Sequence, residues 1–201
     1  MVTGFTYAQS PDTIALNQPD LNKGLPVMKA LSVRASVKEF DTTSLLLQDL
    51  SDLLWAANGV NRHNEGKRTA PSALNAQDID IYVFIKSGVY LYNANKQLLE
   101  PIVPGDNRNI FSRKKDEPVP ALICLLVSDI ARFKFGEDSL KREWGAMDAG
   151  IVSQNISVFC SSCGLVTRPR AGMDKAKLKE LLKLKATQYL MLNHPVSYKK
   201  E

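Results

Sequence analysis

Apolar side chains recur at Leu46, Leu50, Leu53, Leu54 and Ala57. This is the spacing of a helix, and Asn58 with Gly59 supplies its stop. After Pro71 the period changes to two. Ile79, Ile81, Val83 and Ile85 alternate with polar or aromatic residues, which predicts a strand. Ser87 and Gly88 turn it into a second strand over residues 89–92, and residues 93–96 turn that into a third over 98–103. Residues 121–127 are apolar without interruption, as in a central, buried strand. A long helix is expected over residues 139–163, apolar or small on most faces from Met147 onward and so buried nearly all round. Asp174 can cap a further helix through Leu178, Leu181 and Leu182, and residues 188–192 read as a last strand before His194 and Pro195. Pro26 suits the first turn of a short helix towards Leu31. Residues 61–68 read as a polar loop, and the charged, turn-rich residues 104–118 as a loop or a short surface helix. Residues 1–24 show no clear period and are expected to form an extended arm ahead of a domain spanning 25–201. Strands and helices do not alternate regularly, which favours an α+β fold over a doubly wound sheet.

Composition narrows the function classes. A chain of 201 residues with 44% hydrophobic residues can build one core without disulfides or metals. The net charge of +5 is mild, and no basic run interleaved with aromatics marks a nucleic-acid track. Three cysteines make no disulfide framework. Cys160 and Cys163 have CxxC spacing, but no second pair completes a zinc site. They fall in the long helix, where they read as small buried residues on one face. No stretch is long and apolar enough to span a membrane. The start shows no basic region followed by an apolar one, although residues 6–9 resemble the tail of a cleavage site. The expected compartment is the cytoplasm, with export as the alternative if a leader preceded the chain.

Neither GxGxxG after a strand nor a phosphate-binding Walker loop occurs. His63 and His194 lack metal-ligand spacing and sit in turn-like settings, so neither is expected to act catalytically. Four other pieces carry the chemistry. In the first, Arg34, Ser36 and Lys38 alternate so that an extended chain puts all three on one side, a grip for an anion. The plain alternative is a solvated basic surface. In the second, Pro71, Ser72, Asn75 and Gln77 precede a strand. An amide such as Asn75 offers donor and acceptor together, which suits the mixed edge of a heteroaromatic ring, while turn chemistry is the plain alternative. The third is Asp148, Gly150, Gln154 and Asn155 in the long helix, where small residues permit close helix packing. The fourth runs from Gly164 through Arg168, Pro169, Arg170, Ala171 and Gly172 to Asp174. It is a loop able to offer backbone N–H groups to an electron-rich atom, or a plain connection between helices.

In this order the four pieces resemble the nitroreductase family of flavoproteins, and the resemblance runs from about residue 25 to residue 198. It implies a central, mainly antiparallel sheet flanked by helices, with the long helix buried at a homodimer interface. It implies FMN as cofactor and, as partners, NAD(P)H and a small electron acceptor, with no nucleic acid and no membrane. By the same resemblance Arg34, Ser36 and Lys38 would bind FMN, with Arg34 nearer the phosphate and Lys38 reaching the ring. Asn75 would meet the polar edge of the isoalloxazine and Ser72 would help line the site. Ala171 and Gly172 would present backbone groups near N5, and Lys199 and Lys200 would add phosphate contacts. Residues 90–92 further resemble the SagB-like branch, some of whose members oxidise azoline rings in peptides. Two positions depart from the family pattern. Ala171 stands where several members have an acidic residue, and Asp78 with Ile79 follows the second piece where an aromatic residue is common.

The function implied is NAD(P)H-driven, two-electron reduction of nitro compounds, quinones or similar acceptors, in two separate half-reactions. No side-chain nucleophile is then required, because the cofactor carries the hydride and the protein orients it. A flavin-dependent dehydrogenase of a peptide or small organic substrate is the alternative within the enzymes. A flavin-binding protein without turnover is the alternative outside them.

Overall fold

The computed structural model describes residues 12–112 and 118–200. The stretch at residues 6–9 and the middle of the 104–118 loop lie outside them. In chain order the strands are β1 (Ile14–Ala15), β2 (Val60–Arg62), β3 (Lys67–Arg68), β4 (Ile79–Ile85), β5 (Gly88–Asn93), β6 (Leu98–Pro104), β7 (Leu122–Asp129), β8 (Leu165–Thr167) and β9 (Gln188–Tyr198). The helices are α1 (Val27–Val33), α2 (Leu47–Asn58), α3 (Asp138–Ser162) and α4 (Lys175–Leu182). Seven strands form one sheet in the order β1-β6-β5-β4-β7-β9-β8, and every named pair in it is antiparallel. The expected α+β architecture is therefore present, long helix included.

The period-two pattern explains the two cores. Ile79, Ile81 and Val83 of β4, with Leu122, Cys124 and Leu126 of β7, face α2 and α3. Tyr82 and Phe84, with Ile123, Leu125 and Val127, face α4 through Leu178 and Leu182. The uninterrupted apolar run of β7 thus reflects burial on both faces of the sheet. Three local expectations change. The polar stretch after α2 forms a small β2–β3 hairpin rather than plain loop. The last strand does not stop before His194 but runs on through Pro195. There the ring occupies a position beyond the end of the β8 ladder, which needs no N–H donor on that side. The third difference concerns α3, which is not buried all round. Gly145, Asp148, Ala149, Val152, Ser153 and Ile156 form its buried stripe, while Met147 is 64% exposed and a Cβ at Gly150 would meet nothing. Small, apolar composition on that second face therefore does not signal packing within one chain.

Candidate active site

The edge strand β8 organises the first, fourth and C-terminal pieces. Ser36 bridges Thr167 in parallel, and the Val37 N–H donates to the Thr167 carbonyl at 3.1 Å. Further on, the Asp41 N–H donates to Ser197 Oγ at 3.0 Å. Residues 34–41 therefore run beside the ends of β8 and β9. A cavity of about 300 Å³ opens there, lined by Val33, Ala35, Val37, Ser157, Thr167 and Lys199, among others. Alternation along an extended segment places Arg34, Ser36 and Lys38 on the other side from Ala35 and Val37, and all three are exposed. Lys199 and Lys200 are exposed as well. The charge of Lys200 reaches Asp41, whose carboxyl is held below its ordinary range chiefly by the Thr43 hydroxyl and N–H.

Thr167 is fixed from behind. Its hydroxyl donates to the Pro195 carbonyl at 2.9 Å, so it can only accept from His194 Nδ1, 3.2 Å away. That leaves His194 Nε2 to accept from Ser153 Oγ at 2.8 Å. With both ring nitrogens engaged and no exposed surface, His194 is a neutral core histidine. Burial, aided by the charge of Arg170, holds it at a pKa of about 3. His63 is exposed on the 3-10 turn between β2 and β3. Among the described residues no His, Cys, Asp and Glu group could hold a metal.

The loop after β8 is pinned by Asn193, a residue without sequence signal. Arg170 and Asn193 exchange backbone bonds of 2.9 and 2.8 Å. Arg170 Nε donates to Asn193 Oδ1 at 2.9 Å, and Asn193 Nδ2 donates to the Arg170 and Gly172 carbonyls at 3.0 and 3.4 Å. The next residues, Ala171 and Gly172, are exposed, and among the described residues no acceptor takes either N–H. A fixed loop with two open backbone donors can bind an electron-rich atom.

The second piece is built differently. The Ala73 N–H points between both carboxylate oxygens of Asp148, at 3.0 and 2.9 Å. Ser72 Oγ accepts from the Gln77 N–H at 2.9 Å, so this hydroxyl closes the loop. The Gln77 side chain takes Arg68 Nε at 2.9 Å and donates to the Gly66 carbonyl at 2.8 Å, while Arg132 Nη1 donates to its backbone carbonyl at 2.7 Å. Leu74, Asn75 and Gln77 all adopt left-handed backbone, with φ of 55, 53 and 49°. Non-glycine residues rarely do so outside functional turns. Asn75 is left exposed at the tip.

One chain does not join this loop to the β8 edge. Asp148, which anchors the loop, and Ser157, which lines the edge cavity, are nine residues apart on α3, about 13.5 Å along its axis. Among the described residues no hydrogen bond links Ser72 or Asn75 to Arg34, Ser36, Lys38, Ala171, Gly172 or Lys199. Arg34, Ser36, Lys38, Lys199 and Lys200 thus lie along the β8 edge, Ala171 and Gly172 sit on the loop that leaves its Thr167 end, and Ser72 and Asn75 form a separate, prebuilt element.

The Nitroreductase family model matches residues 31–198, which include both elements except Lys199 and Lys200. The chain belongs to the nitroreductase family. A Methanocaldococcus jannaschii protein assigned by name to the nitroreductases is 26% identical over 202 residues, covering 94% of this chain and 99% of its own. A crystal structure from Ralstonia eutropha, likewise assigned to the nitroreductases, is 31% identical with a TM-score of 0.89, covering 100% of this chain and 97% of that one. A Staphylococcus epidermidis structure titled as an NAD(P)H:FMN oxidoreductase shares the fold at 13% identity, with a TM-score of 0.64 and 92% of each chain covered. As a nitroreductase-family member this chain is an oxidoreductase, and no helix among its described residues is long and apolar enough to cross a membrane.

Proposed function

We propose that the chain is an FMN-dependent oxidoreductase that uses NAD(P)H for two-electron reduction of nitro compounds, quinones or similar acceptors. The observation that carries this reading is the β8 edge, where exposed Arg34, Lys38 and Lys199 accompany the open N–H groups of Ala171 and Gly172. That donor set fits FMN. Arg34 answers a dianionic phosphate, for which charge-assisted bonds are the strong ones. Lys38 places positive charge where the reduced ring gathers negative charge. The Ala171 and Gly172 N–H groups would serve as donors to the ring of a bound flavin. Bound FMN supplies the hydride-carrying centre, and the protein supplies orientation and electrostatics.

The same reading makes the protein a homodimer. Ser72 and Asn75 are preformed yet remote from the β8 edge within one chain, so a second copy is the natural source of the missing wall. Met28 on α1 and Met147 on α3 are 74% and 64% exposed, and Val27 and Leu31 extend the apolar surface. An apolar area of this kind on adjacent helices usually finds a partner. With no dinucleotide fingerprint in the sequence, NAD(P)H and the acceptor use one cleft in turn.

Anaerobic mixing tests the proposal. FMN-loaded protein should lose its visible absorbance on addition of NADH or NADPH and regain it with a quinone or nitroarene. Steady-state double-reciprocal plots should be parallel. Protein that takes up no FMN overturns the reading. Protein that binds FMN but responds to neither nicotinamide points instead to a dehydrogenase of another substrate.

A further inference from the structure

Asp78 directly follows the second loop and leads into β4, and it is fully buried. Asp148 on α3 is 3% exposed. Ser128, on β7, donates its hydroxyl to Asp78 Oδ2. The other oxygen, Asp78 Oδ1, is buried and finds no donor among the described residues. The Asp148 carboxyl lies within hydrogen-bonding reach of Asp78 and already accepts the Ala73 N–H. Two ionised carboxylates in such contact repel each other and leave one oxygen orphaned. A single proton on Asp148, donated to Asp78, removes both faults.

The packing leaves the pair few other remedies. A Cβ at Gly145 would collide with Ser128 Oγ and come within 3.2 Å of Asp78 Oδ2, so α3 presses directly on the pair. Arg132, on the turn after β7, carries a charge that reaches Asp78. Arg132 is already committed to both oxygens of Asp80 at 2.7 Å and to the Gln77 carbonyl. Asp80 and Asp129 both face Arg132, and Arg68 faces it from the β3 side. None of these neutralises the pair.

We propose that Asp78 and Asp148 share one proton, and that the protonated pair positions the loop presenting Asn75 to the cofactor. While the proton is held, Asp148 keeps the Ala73 N–H and the three left-handed residues stay in place. When the proton leaves to solvent, two like charges face each other under the loop and the loop loosens. Burial, and next the contact with Asp78, push the Asp148 carboxyl up to about 7, against the opposing Ala73 N–H. The raised value means that the proton's stabilisation is complete below the ordinary 3.8 and is lost as pH rises through about 7. The role of Asn75 rests on the proposed function, whereas the shared proton does not.

The test combines three readouts on the full chain from mildly acid to mildly alkaline pH. FMN-free protein should show the infrared carbonyl band of a protonated carboxyl, disappearing with a midpoint near 7. The Ala73 amide resonance should move with the same midpoint. FMN affinity should weaken by about tenfold across it, as expected for one unit of coupling. Asp148→Asn donates to Asp78 at every pH, so the band should vanish while Ala73 and FMN affinity stay flat at the acid-limb value. Asp78→Asn removes the like charge, and all three readouts should again lose the midpoint near 7. A wild-type band that is missing, or that survives in Asp148→Asn, overturns the shared proton. A band that titrates while Ala73 and FMN affinity do not respond overturns the positioning role. If FMN fails to bind at any pH, the proposed function falls, and the band with the Ala73 resonance still decides this inference.

Discussion

Beside Thr167, residues 34–41 are held by a backbone bond at Val37 and a serine hydroxyl at Asp41, and Arg34, Ser36 and Lys38 remain exposed. Above Asp148, residues 71–77 are held by a carboxylate, two arginines and an internal hydroxyl, with three residues in left-handed backbone. The first region has charge and little fixed geometry, while the second has fixed geometry and almost no free charge. Long cationic side chains can close on a phosphate from many starting rotamers, so their site needs no preorganised backbone. An amide that must meet a ring edge gains from having its direction set beforehand. The two regions thus divide a binding task into attraction and alignment.

The largest effect should come from undercutting the first region. His194→Ala removes the ring that joins Ser153 to Thr167, and should lower stability by about 3 kcal/mol in urea titrations. His194 also sets a pH slope. The unfolded ring takes a proton near 6.5 while the folded ring resists until about 3. Stability is therefore present above 6.5 and lost as pH falls through that window, and this part of the slope should vanish in His194→Ala.

Arg34→Ala and Lys38→Ala should each weaken FMN binding by about 1.5–3 kcal/mol while barely changing stability, because both side chains are exposed. Lys38→Ala should in addition lower the midpoint potential of bound FMN. An unchanged potential would move Lys38 away from the ring. In the second region the pattern should reverse. Gln77→Ala deprives largely buried Arg68 of its side-chain acceptor and should cost about 1–2 kcal/mol of stability by thermal melting. The smallest effect is a gain. Leu74 is 54% exposed with φ of 55°, so Leu74→Gly should stabilise the fold by about 0.5–1 kcal/mol.

The same contrast explains what could be read from sequence. Local pattern disclosed β4 by its alternation, β7 by its unbroken apolar run, β5 and β6 by the turns at residues 87–88 and 93–96, and the long helix by its small and apolar composition. Arg34, Ser36 and Lys38 were legible as an alternating set, and their place beside Thr167 follows from pairing with β8. That strand was missed, since Leu165–Thr167 is three residues within a loop-like stretch and exists through its partner β9. Asn193 and His194 were missed as organisers because each acts on residues more than twenty positions away. The Asp78–Asp148 contact joins positions seventy apart, one at the end of a turn motif and one inside a helix. No spacing rule connects them. Asp148 was read as part of a close-packing stretch, yet its carboxyl anchors the loop that carries Asn75.

Comparing FMN with riboflavin tests the central claim most directly, since the two differ only in the phosphate. Fluorescence titrations of flavin-free protein should give FMN a Kd at least tenfold below that of riboflavin, as expected for one lost charge-assisted contact. In Arg34→Ala that gap should shrink because FMN binding alone weakens. Equal affinities in the unsubstituted protein, or equal weakening of both ligands by Arg34→Ala, would contradict the account.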